Sequence, residues 1–351
     1  MYNLEMPHKP VDNRGLLETV LGDGSPFLLL TGVVLVLSGL FALFQSATGQ
    51  FLPQDVAYLQ MTAAALCGLD RCRIVHFMFH DRVSFGGALI AIGSLYLWLV
   101  EFPLRHRQPW AWWTLLVSGV IGFSTFLAYL GYGYLDTWHG IATLGLLPVF
   151  VAGILRSRQV LNDTVGVRSL FCPAVRYPLA SRAGIGRICL LITSMGLIAG
   201  GMTIMIVGMT CVFVPQDLQY MGVHLADLYA ISPRLVPLIA HDRAGFGGGL
   251  CSTGIAVLFC VYCGTPSRNL WQVIALAGGT GFACAIGIHP IIAYTSPSHL
   301  APAVVLAIIF VTGLAFSYES MMLGLSGSTS ADPDEGLKFT NPAQSPESPL
   351  V

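Results

Sequence analysis

The sequence predicts an all-α membrane protein of about eight transmembrane helices, arranged as two tandem parallel four-helix repeats. Three observations carry that expectation: a shortage of charge, a series of apolar stretches long enough to cross a bilayer, and an internal duplication. Of the 351 residues, 54% are apolar and only 10% are charged, with a mean hydropathy of +0.71. Soluble domains carry about 25% charged residues, so an ordinary soluble enzyme, a coiled coil and a disordered chain are all excluded. The formal net charge of -1 offers nothing to a polyanion, and no nucleic-acid partner is expected.

The apolar stretches run over residues 27–44, 85–104, 110–130, 139–155, 188–212, 246–262, 270–293 and 300–323. Each approaches or exceeds the ~17 residues that a spanning helix needs. Each is expected to be helical, because a segment alone in lipid satisfies its backbone polar groups in no other way. The polar N-terminus (residues 1–14) lacks the apolar run of a cleavable signal, so the first stretch is read as a lasting span. Of the 17 Lys and Arg residues, Arg71, Arg73, Arg82, Arg234 and Arg243 fall on one side of this arrangement and the other 12 on the opposite side. By the positive-inside rule the richer side is cytoplasmic. The chain is therefore read as a multi-pass protein of the plasma (inner) membrane with both termini in the cytoplasm, and the lipid bilayer is its first partner. Trp98, Trp110, Trp112, Trp113 and Trp271 then lie toward the cytoplasmic interface and Trp138 toward the outer one, where indole rings prefer to sit.

Self-comparison supplies the repeat. Phe51-Leu-Pro-Gln-Asp55 recurs as Phe213-Val-Pro-Gln-Asp217, offset by 162 positions. His80-Asp81-Arg82 recurs as His241-Asp242-Arg243, followed in both copies by Phe-Gly-Gly, at an offset of 161. Arg73 and Arg234 keep that offset, while His139 matches His299 at 160. The chain divides on this basis into an N-terminal segment (1–24), a first repeat (25–160), a basic cytoplasmic linker (161–185), a second repeat (186–325) and a tail (326–351) rich in Pro, Ser and acids. The tail is expected to be disordered. Because four spans return the chain to its starting side, the two copies run parallel. The long segments after the first and fifth spans are too apolar for plain linkers and are read as interfacial pieces resting on the bundle.

No span carries an ionisable group near its centre, which counts against a proton- or ion-coupled transporter. The repeated charges collect instead at one level, the outer interface: Asp55, Arg73, His80, Asp81, Arg82 and His139 from the first copy, and Asp217, Arg234, His241, Asp242, Arg243 and His299 from the second. A structural reading makes Asp81 and Asp242 helix N-caps, lets the arginines pair with Asp55 or Asp217, and uses the glycines for close helix packing. A functional reading makes the paired sets a site for an anionic small molecule or lipid headgroup. Arg82 and Arg243 would clamp the anion, His80 and His241 would exchange protons, and Asp55 and Asp217 would orient them. The two histidines of one copy, His80 with His139 or His241 with His299, open parallel spans and are expected side by side. No metal site is expected: His76 and His80 form an H-x-x-x-H, but Pro237 stands where the second copy would repeat His76. No cofactor is indicated. Cys67 and Cys72 lie on the outer side, where a disulfide is permitted. The competing functional classes are a secondary transporter with its site between the repeats, and a non-catalytic subunit or scaffold of a membrane complex.

Overall fold

A computed structural model of the chain describes residues 22–70, 72–127, 134, 137–161 and 166–322, and among these it contains helices and no strand. The helices, numbered here in chain order, are α1 (Ser25–Ala47), α2 (Pro53–Leu59), α3 (Ala63–Asp70), α4 (Arg73–Leu99), α5 (Pro109–Leu127), α6 (Thr137–Ile141), α7 (Leu147–Leu161), α8 (Arg182–Met209), α9 (Pro215–Met221), α10 (Leu225–Ile231), α11 (Leu235–Cys263), α12 (Arg268–Ile291) and α13 (Pro297–Met322). Wider π-helical turns extend α4 through Val100–Leu104 and join α6 to α7 through Ala142–Leu146. The expected tail, and most of the N-terminal segment, lie outside the described residues.

Among the described residues, six helices are long and apolar enough to cross a membrane: α1, α4 with its π extension, α8, α11, α12 and α13. The remaining two expected stretches take other forms. The third is α5, which ends at Leu127 where the described residues stop, and the fourth is divided by the π turn between α6 and α7.

α4 and α11 are the two central helices, buried along most of their length. α1 packs on α4 and α8 on α11, while α5 packs on α11 and α12 on α4. The N- and C-terminal halves of the chain therefore interlock. Glycines set these approaches. A Cβ on Gly39 of α1 would stand 2.5 Å from the Gly86 carbonyl of α4, and one on Gly201 of α8 would stand 2.7 Å from the Gly247 carbonyl of α11. Only a residue without a Cβ lets backbone meet backbone in this way.

The apolar segments expected to rest on the bundle are the short helices α2, α3, α9 and α10. With the first turns of α4 and α11 they enclose a second apolar cluster, built from Phe51, Phe77, Met78, Phe213, Met221, Leu238 and Tyr294 among others. Local chemistry explains the Pro-Gln-Asp motif that opens α2 and α9. Proline occupies the first helical turn, where its missing N–H costs nothing. The aspartate at the third position reaches back to the amide before the helix: Asp55 Oδ2 accepts from the Leu52 N–H at 3.3 Å, and Asp217 Oδ2 from the Val214 N–H at 2.9 Å. Cys67 and Cys72 are disulfide-bonded at the α3–α4 junction.

At the opposite end, Trp98, Trp110 and Trp112 are buried. Their indole N–H groups donate to Asn269 Oδ1, Gln108 Oε1 and the Ile154 carbonyl. These three are internal staples, because a buried indole finds a partner inside the protein.

Candidate functional site

The duplicated charges meet where α2, α4, α9 and α11 converge. Asp81 and Asp242 are not helix N-caps: α4 begins at Arg73 and α11 at Leu235, so each aspartate lies two turns inside its helix. The expected span boundaries, drawn at these charges, fall short because the apolar runs before them (Ile74–Phe79, Leu235–Ala240) continue the helix.

Each arginine is held between two carboxylates, one from its own half and one from the other. Arg82 donates from Nη1 to Asp55 Oδ2 at 2.6 Å and from Nε to Asp242 Oδ2 at 2.8 Å. Arg243 donates from Nη1 to Asp217 Oδ2 at 2.6 Å, and its Nε faces Asp81 Oδ2 at 3.4 Å. That last pair is an ion pair without hydrogen-bond geometry, which leaves both atoms without a hydrogen-bond partner. Tyrosines complete the aspartates. Tyr134 donates to Asp55 Oδ1 at 2.5 Å and Tyr294 to Asp217 Oδ1 at 2.8 Å. Burial first, and the Asp217 carboxylate second, hold the Tyr294 phenol well above its usual pKa, so it stays a donor. His80 and His241 each place Nδ1 3.0 Å from the following aspartate, Asp81 and Asp242.

Arg73 and Arg234 sit outside this buried layer and also reach across the halves. Arg73 Nη1 donates to the Tyr220 carbonyl at the end of α9, and Arg234 Nη1 to the Tyr58 carbonyl at the end of α2. Both cap short helices at their negative ends. Arg234 also stacks over the Tyr58 ring.

One histidine of the first copy meets histidines of the second. His80 lies beside His299 of the other half and beside His289, with ring centroids 5.8 and 4.6 Å away. The cause is the interlocking: α12 packs on α4, and the chain turns from its end directly into α13. His139 belongs to α6, and its side chain lies outside the described residues. Sequence reasoning left His289, Tyr134 and Tyr294 out of the site. The tyrosines had a signal, since they share the 160-position offset of His139 and His299. His289 had none, because Tyr129 stands at the matching position.

Next to the Arg82 set lies a cavity of about 670 Å³. Its polar end is formed by Asp55, Arg82, His241 and Asp242, and its walls are mostly apolar, contributed by α1, α4, α5, the α6–α7 π turn and α11. It follows α4 from Arg82 to Tyr96, a depth of roughly 21 Å at about 1.5 Å per residue. At its far end the Tyr96 hydroxyl is 2.9 Å from Ser118 Oγ, and the Ser252 hydroxyl donates to the Ser118 carbonyl. Leu37 and Phe41 of α1 and Ile141 of α6 are among its lining residues and are exposed.

No protein-family model matches the chain, and no curated protein or solved structure matches it significantly. The functional reading therefore rests on the geometry.

Proposed function

We propose that this multi-pass protein of the plasma membrane binds an amphipathic, lipid-like or lipid-linked small molecule in the cavity beside Arg82. The observation that carries the reading is the cavity itself. Its volume falls within the range of about 300–1,000 Å³ typical of small-molecule sites, and it joins a long apolar body to one polar end. The buried arginines are braces in this account. Each guanidinium already faces two carboxylates, so neither is left to clamp an anion. With Asp55 and Asp242 facing the single positive charge of Arg82, the polar end suits a neutral or cationic head that donates hydrogen bonds. The apolar walls favour a bound lipid-like molecule over an ion pathway, which needs ionisable groups at mid-membrane.

The architecture that goes with this reading is eight spans in two tandem parallel four-helix units. Matched contacts in the two halves support it. The pairs Asp55–Arg82 and Asp217–Arg243, Gly39–Gly86 and Gly201–Gly247, and Gly119–Phe150 and Gly278–Phe310 correspond position by position. The broken segment from Thr137 to Leu161 spans 25 residues, about 37 Å at helical rise, which covers a hydrocarbon core of about 30 Å. Two independent features support an extracytoplasmic position for the charged layer: the unequal division of Lys and Arg, and the Cys67–Cys72 disulfide beside it.

The test fills the cavity. Gly122 and Gly145 line it, and an added Cβ meets only Ser252, no closer than 3.5 Å, at the first and nothing within 4 Å at the second. Gly122→Leu and Gly145→Leu should leave expression and folding unchanged. Organic extracts of the purified wild-type protein should contain a hydrophobic molecule detectable by mass spectrometry, and both variants should lose it. Identical extracts from wild type and both variants would overturn the reading.

A further inference from the structure

We propose that His80, His289 and His299 bind a divalent transition metal ion, with zinc as the representative, at a site separate from the cavity. The three side chains come from α4, α12 and the first turn of α13, and their donor nitrogens all lie within 4.8 Å of one another. His80 Nε2 and His289 Nε2 are 3.2 Å apart. In a tetrahedral site with Zn–N bonds of about 2.0–2.1 Å, the edge between two ligand nitrogens is about 3.3 Å. The His80–His289 pair is already at that edge, and no pair must close by more than about 1.5 Å to reach it.

Tautomer logic points the same way. His80 Nδ1 faces Asp81 Oδ1 at 3.0 Å, and an ionised carboxylate only accepts, so the proton of a neutral His80 sits on Nδ1 and Nε2 presents a lone pair. His289 is buried, and its Nδ1 lacks a well-formed hydrogen bond although the Ala285 and Ile286 carbonyls lie in the turn behind it. A proton on that Nδ1 faces those carbonyls and leaves the two Nε2 lone pairs opposed, an arrangement that needs a cation between them. A proton on His289 Nε2 instead bonds to His80 Nε2 at 3.2 Å but turns the bare Nδ1 toward carbonyl oxygens, and a cation in place of that proton removes the conflict.

The surroundings match what a metal-binding histidine needs. Asp81 fixes the His80 ring through its other nitrogen, the carboxylate–histidine arrangement that orients metal ligands and raises their basicity. Phe77 stacks on His80 and Tyr294 on His299, giving the cluster an apolar wall. Asp81 and Asp217 face the single guanidinium of Arg243, and that surplus of negative charge favours a cation. Three imidazoles suit zinc, copper or nickel better than magnesium or calcium, and they leave a fourth position for water or another ligand.

The experiment uses the full-length protein in detergent, with any polyhistidine tag removed, stripped with a chelator and dialysed against ZnCl₂ or CoCl₂. The wild type should retain about one zinc ion per chain and, with cobalt, show the visible bands of a four-coordinate ion. His289→Ala and His299→Ala should each weaken zinc binding at least about tenfold. His241→Ala, which alters the other histidine–aspartate pair, should retain it. Should an alanine variant fail to fold, His289→Gln removes the ring while keeping the bulk. The wild-type titration decides the matter independently of any variant. A wild-type protein that takes up neither ion at micromolar concentration would overturn the proposal and leave the histidines as a proton-sharing contact. Uptake unchanged in His289→Ala and His299→Ala would overturn it equally.

Discussion

Arg82 and Arg243 determine how the charged layer is held. Among the described residues of its buried core, four carboxylates (Asp55, Asp81, Asp217 and Asp242) surround two guanidiniums. Removing one partner of a buried ion pair strands the other in a poor solvent and costs about 3–5 kcal/mol. Arg82→Ala and Arg243→Ala should each destabilise the protein by that order, read as loss of thermal stability in detergent. Lysine should not restore it. One ammonium cannot bridge two carboxylates that the guanidinium reaches with separate nitrogens. A harmless Arg243→Ala would mean that Asp81 and Asp217 find other counter-charges, and the brace would be a coincidence of placement. The same layer shows why a sequence reading of the site stops where it does. The two copies carry the same residues, so the sequence cannot say whether Arg82 meets Asp242 or Asp81. Duplication reveals the members of the set and conceals their pairing. His289 lies beyond even that signal, since it belongs to one copy alone.

At the scale of helices, close approach is controlled by a few glycines. A side chain on Gly201 collides with the backbone of α11, not with the end of a flexible neighbour. Gly201→Ala should therefore push α8 away from α11 and cost about 1–3 kcal/mol, as overpacking does. Gly279 of α12 is the control, because a Cβ there meets nothing within 4 Å. Gly279→Ala should be neutral or stabilising by up to about 1 kcal/mol, from helix propensity alone. Chemical denaturation of both variants in the same detergent checks the pair, and equal effects would remove the steric argument. Helices of this kind were legible in the sequence because lipid burial demands long apolar runs, and the Phe-Gly-Gly motif marked where packing would be close. Their first turns were not legible. Charges ordinarily end a span, and Asp81 and Asp242 lie within helices only because partners from the other half neutralise their surroundings. The short helices α2 and α9 were foreshadowed as apolar segments, whereas their cap geometry required the aspartate to be seen turning back to its own helix.

The orientation of the whole molecule carries the last test, and two free cysteines supply natural reporters for it. Cys211 is exposed at the end of α8, next to the charged layer, while Cys172 is exposed at the opposite end in the segment between α7 and α8. The proposed topology puts Cys211 outside the cell and Cys172 inside. The Cys67–Cys72 disulfide lies on the side proposed to be oxidising, where such a bond persists. A membrane-impermeant maleimide applied to intact cells should label a variant that retains Cys211 as its only free thiol. It should reach one that retains Cys172 only after the membrane is permeabilised. Both variants keep Cys67 and Cys72, so the disulfide is undisturbed. The reverse pattern would invert the topology and place the polar end of the cavity on the cytoplasmic side, where its amphipathic ligand would be drawn from the inner leaflet. The proposed orientation instead puts that polar end at the level of the outer headgroups, where a lipid-like molecule of the outer leaflet would already carry its head.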